Sequence, residues 1–150
     1  MNRWSTPLRS ATLAAAAAVA LSACSMMPGM STTVPLRASL NALQEVPPVS
    51  SPATGMLEAN LDKSTNVLKW RLTYSGLTGP ATAAHFRGPA SMGQNAGVVV
   101  PFTSAASGSE GQATLTSAQI DDLMAGKWYA NVHTAANPGG EIRGQVGVGR

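Results

Sequence analysis

From Leu36 onward, apolar and polar residues alternate in short runs broken by Gly, Pro, Asn and Ser. This period of two is the signature of half-buried strands in a sandwich or barrel. Leu36, Ala38, Leu40 and Ala42 alternate with Arg37, Ser39 and Asn41, so a first strand turns one face to a core. Pro47 and Pro48 follow it, and proline cannot donate to a sheet ladder. Leu57, Ala59 and Leu61 form the next inward set, and the turn Asp62-Lys63-Ser64-Thr65-Asn66 leads into Leu68, Trp70, Leu72 and Tyr74. These two runs read as a hairpin. Trp70 is a core anchor in this pattern, because Lys69, Arg71 and Thr73 take the solvent side. Further strands are predicted over 82–86, 97–102, 111–115, 128–134 and 141–148, the last two joined by the glycine-rich loop Ala135-Ala136-Asn137-Pro138-Gly139-Gly140.

One helical signature interrupts the strands. Thr116 lies three residues before Gln119, the spacing of a capping box, and Ile120, Leu123 and Met124 supply a buried stripe before Gly126 ends the run. The predicted fold is therefore all-β: a single antiparallel β-sandwich of Greek-key, immunoglobulin-like or superoxide-dismutase-like type, with one short helix near 117–125.

Ahead of the strands the pattern changes. Arg3 and Arg9 precede an alanine-rich apolar stretch from Ala11 to Ala23, too short to span a bilayer core, which needs about 20 residues. A basic head, an apolar middle and small residues before a cut describe a secretory signal over 1–23. The run Leu21-Ser22-Ala23-Cys24 contains the chain's one cysteine and resembles the bacterial lipoprotein signal. That resemblance implies lipidation of Cys24, which becomes the mature N-terminus and a membrane anchor. Ser25 rather than Asp follows, which in Gram-negative lipoproteins implies sorting to the outer membrane. Residues 24–35 then form a flexible tether, and 36–148 the domain.

Charge narrows the partners. Removing 1–23 takes two arginines and leaves eight basic against seven acidic side chains, scattered singly, so no clustered face for nucleic acid is present. With Cys24 acylated, no thiol remains for a disulfide, and the core alone must stabilise the domain outside the cytoplasm. The tether methionines Met26, Met27 and Met30 are as ordinary in a linker as in a soft-metal trap.

The segments ASLNALQEVPPVSSPATG (38–55), AAHFRGPA (83–90) and GKWYANVHTAANPGGEIRGQV (126–146) together resemble the chordin-type domain, written CHRD. The resemblance covers 36–148 and implies an exported β-sandwich without established catalytic residues. The family pattern usually carries His-x-His-Gly-Pro in its first block; this chain has His85-Phe86-Arg87-Gly88-Pro89. Arg87 is cationic and has no acceptor, so it cannot share a metal with His85 as a second imidazole would.

Two readings of the polar residues stay open. In the structural one, Glu141 bonds loop amides, His133 pins the Asn-Pro-Gly-Gly turn and Arg143 makes a surface ion pair worth about 0–1 kcal/mol. In the chemical one, His85 and His133 meet across the sandwich, with Glu141 completing a copper or zinc site or a small-ligand site. Arg87 opposes the dication, by about 4 kcal/mol for each unit of its charge at 4 Å and an effective dielectric of 20. No Gly-x-Ser-x-Gly elbow is present, seven acids offer few glycosidase-type pairs, and Gly139-Gly140 lacks the Lys-Ser/Thr of a phosphate loop. The expected function is a non-enzymatic binding module of the cell envelope. It needs no cofactor, its partner is an envelope protein or small ligand, and the alternative is a periplasmic copper- or zinc-binding protein.

Overall fold

The computed structural model describes residues 31–149. Its strands are β1 (Thr33–Asn41), β2 (Thr54–Asp62), β3 (Val67–Ser75), β4 (Ala81–Arg87), β5 (Val98–Pro101), β6 (Ser109–Thr114), β7 (Tyr129–Thr134), β8 (Ile142–Gln145) and β9 (Gly147–Val148). A 3₁₀ turn at Ala42–Gln44 follows β1, and helix α1 (Ser117–Met124) precedes β7. The capping box at Thr116 and Gln119 forms as the sequence implies, and Leu123 is the buried member of the helical stripe. The signal at 1–23, Cys24 and the tether methionines lie outside the described residues. Thr33–Pro35, which composition assigns to the tether, instead open β1 by pairing with Asp62, Leu61 and Asn60.

All the strands join one sheet, in the order β5-β4-β7-β8-β1-β2-β3-β6, with β9 continuing onto β1. Every ladder is antiparallel. Trp70 on β3 and Phe86 on β4 are five strand spacings apart along this order, about 24 Å in a flat sheet. Their ring centroids nevertheless lie 5.2 Å apart, edge to face. The sheet therefore curls until its ends meet around one core. Among the described residues β5 and β6 share no ladder; Phe102, just after β5, closes the seam with its ring 4.8 Å from Trp70. The result is a barrel-shaped antiparallel sheet of superoxide-dismutase-like form.

The core is what the alternation implies. Leu36, Ala38, Leu40, Leu57, Ala59, Leu61, Leu68, Trp70 and Leu72 are all buried, together with Phe86, Trp128, Val132 and Ile142. The opposite face of β1, β2, β3 and β6 is exposed. There the register aligns Arg37 with Glu58, Glu58 with Arg71, and Arg71 with Glu110, a row of alternating charge with contacts at 3.8 and 3.6 Å. Exposed pairs of this kind contribute little to stability. Among the described residues no helix is long and apolar enough to cross a membrane.

Candidate functional site

The other half of the outer surface is not exposed. All six residues of β7 are buried, because two segments remote in sequence, 42–53 and 88–97, cover the outward side of β4, β7 and β8. Arg143 clamps the second segment: its Nη1 donates to Asn95 Oδ1 at 3.1 Å and its Nη2 to the Gln94 carbonyl at 2.6 Å. Its guanidinium stacks 3.5 Å above the Tyr129 ring. The Tyr129 hydroxyl accepts from the Ala96 amide, and Gln145 Nε2 donates to the carbonyls of Ala90 and Gly126. The two covering segments are tied to each other where Asn95 Nδ2 donates to the Val46 carbonyl. Arg143 is 1% exposed, so the surface ion pair expected for it does not form. Period-two reasoning assigns this face to solvent because it cannot see a loop from elsewhere in the chain landing on it.

Glu141 sits in a cage of its own. Its carboxylate accepts from the hydroxyls of Ser51, Thr78 and Thr134, each at 2.7 Å, from the Thr78 amide at 2.9 Å and from Asn137 Nδ2 at 3.2 Å. Burial pushes the group up, but the bonds from Ser51, Thr134 and Thr78 outweigh it and hold the carboxyl at about 2. The expected bonding to loop amides is corrected in kind, since hydroxyls do most of the work. Glu141 also does not join the histidines. Thr134, which leaves β7 on the face opposite to His133, supplies the strand's bond to it.

His85 and His133 do meet, though not across the barrel. β4 and β7 are adjacent, with Ala83 opposite His133 and His85 opposite Asn131, so the imidazoles are diagonal neighbours on one face of one sheet. His85 Nδ1 lies 3.1 Å from His133 Nε2. His133 Nδ1 lies 2.9 Å from the Pro138 carbonyl, and its Nε2 is 3.0 Å from Asn131 Oδ1. A carbonyl only accepts, so Nδ1 carries the proton, and His133 pins the turn as the structural reading expects. Burial, the neighbouring His133 and the Arg87 charge lower the His85 pKa. For His133, burial and Arg87 outweigh the opposing bond to Pro138, and its pKa is lowered too. Arg87 donates Nη1 to the Ala96 carbonyl at 3.1 Å, and its buried Nε finds no partner among the described residues.

Two members of this layer escape a sequence reading. Asn131 shares the polar face of β7 with His133, and that alternation is its only signal. Glu45 has none, since an acid in the loop before Val46-Pro47 reads as solvated. It is 5% exposed, and burial pushes it to about 7 against the charge of Arg143. Its Oε1 has no partner among the described residues. Gly140, at φ +129°, lies against it, and a Cβ there would collide with Oε1.

Among the described residues no three His, Cys, Asp or Glu side chains converge. An open hollow on the far outer face, lined by Glu58, Asn60, Lys69 and Gln112, belongs to the charged row rather than to this layer. Fold and site define an antiparallel β-barrel module whose polar groups mainly fasten its own loops. A comparison with family profiles identifies which one: residues 36–146 match the CHRD domain, and the chain belongs to that family. CHRD domains are non-catalytic interaction modules. Comparisons with curated proteins and with solved structures gave no match.

Proposed function

We propose that this chain is a lipid-anchored interaction module of the cell envelope, moored through Cys24 to the outer membrane and offering its barrel to an envelope protein or small ligand. The observation that carries this reading is the CHRD match beginning at Leu36, just beyond a lipoprotein-like signal and a short polar tether. Each acyl methylene buried in a bilayer contributes about 0.8 kcal/mol, so more than one chain holds a domain stably without a spanning helix. β1 starts at Thr33 on the tether side and runs about 27 Å at the usual strand rise. Its far end is therefore the end turned away from the lipid. Leu43, 78% exposed, sits there directly after β1 and offers a partner an apolar contact.

Mass spectrometry of the envelope fraction tests the anchor. The expected N-terminal peptide begins at Cys24 and carries diacylglycerol, and Cys24→Ala moves the protein to the soluble fraction. An unacylated N-terminus in native envelopes would refute it. A second reading, capture of copper or zinc by His85 and His133, is favoured by the 3.1 Å approach of their facing nitrogens.

A further inference from the structure

The second reading leaves open how two imidazoles beside an arginine would hold an ion, and the answer lies in the groups that orient them. His133 donates Nδ1–H to the Pro138 carbonyl, which leaves a lone pair on Nε2. Metal-ligating histidines are oriented in this way, by a bond from the other ring nitrogen to a carbonyl. Asn131 presents its Oδ1 to that same Nε2, at 3.0 Å, while its Nδ2 lies on the Gly140 side.

The consequence is a lone pair facing a lone pair. Nε2 of His133 and Oδ1 of Asn131 are both acceptors, 3.0 Å apart. His85 Nδ1 lies 3.1 Å from the same Nε2. One proton on His85 satisfies one of these approaches and leaves the other unfavourable. A cation satisfies all three. Metal bonds of about 2.0–2.2 Å at angles between 90° and tetrahedral place ligand atoms about 2.8–3.6 Å apart, which brackets both separations. His85 is only half-buried, so the site opens to solvent on its side.

We infer that His85 Nδ1, His133 Nε2 and Asn131 Oδ1 form a three-donor site for one borderline divalent ion, zinc or copper(II), with the remaining position open. The inference rests on the second reading above and adds its third ligand and its charge balance. The donor set is neutral, and Arg87, on the same face of β4 as His85, adds a positive charge that weakens the ion's hold. The same charge favours a small anion, such as a carboxylate, on the open position.

Titration calorimetry of the full chain in detergent with Zn²⁺ and with Cu²⁺ provides the test, joined by electron spin resonance of the copper form. The expected result is one ion per chain with splitting from two imidazole nitrogens, and loss of binding in His133→Ala. Asn131→Ala weakens binding at least tenfold. Asn131→Asp restores or strengthens it by supplying a charged oxygen in the same place, and Arg87→Gln tightens it several-fold. Failure of either ion to bind the native chain, in the presence of acetate, overturns the metal reading itself. Histidine-dependent binding that is indifferent to Asn131→Ala and Asn131→Asp overturns the three-donor site and leaves the two-histidine reading standing. Thermal melts of each variant separate lost ligation from lost folding.

Discussion

Glu141→Ala is expected to destabilise the domain by about 3–5 kcal/mol, within the range for dismantling a buried hydrogen-bond network. The carboxylate accepts five hydrogen bonds that bring together Ser51 ahead of β2, Thr78 between β3 and β4, and the 135–140 turn. Truncation leaves those donors facing one another with nothing to accept from them. The pH dependence has a definite sign. A carboxyl held at about 2 in the fold and near its ordinary value when unfolded contributes stability above pH about 4.5. That contribution disappears as pH falls through 2. Urea melts between pH 5 and 2 should show a steep loss in the native protein and a shallower one in Glu141→Ala. Equal slopes would mean that the cage is not holding a carboxylate.

Trp128→Ala is expected to cost a similar amount, about 3–5 kcal/mol, the range for deleting a large aromatic from a packed core. The indole is fully buried and lies 5.7 Å from Phe86. Gly88 is shaped around it: a Cβ there would come within 2.6 Å of Trp128 Cδ1. The cavity left by alanine is lined by β4 and the entry to β7, so it cannot collapse without disturbing the strands that carry both histidines. A loss below about 1 kcal/mol in chemical denaturation would place the indole outside the core.

The strands were largely legible because one side of each faces the core, and alternation reports that side directly. Leu36 to Ala42 and Leu57 to Leu72 behave as their pattern implies, and the capping box at Thr116 locates α1 to the residue. The curl of the sheet is not written in any single run. It depends on Trp70 and Phe86 meeting from strands far apart in the sheet, a long-range fact that periodicity does not contain. The site was legible by residue type and partly by partner. His133 and the Pro138 turn were readable because loop and histidine are local. Glu141 does take bonds from loop amides, Thr78 N–H and Asn137 Nδ2, but its hydroxyl donors Ser51 and Thr78 come from other parts of the chain and leave no local signal. Arg143 and Glu45 were hidden for the same reason: outward positions become buried only when 42–53 and 88–97 fold over them.

A loop-covered polar layer, open to solvent only beside half-buried His85, keeps His85 and His133 neutral and oriented. Both pKa values are lowered in the fold, so the unfolded chain takes up protons more readily. The layer then contributes stability that is present above the ordinary histidine value of about 6.5 and lost as pH falls below it. Nitrogen-15 NMR of the imidazoles across this range is the direct measurement. The account predicts that His133 holds its proton on Nδ1 and that both rings titrate below the ordinary value. A His133 ring protonated on Nε2 alone, or two rings titrating independently near 6.5, would contradict it.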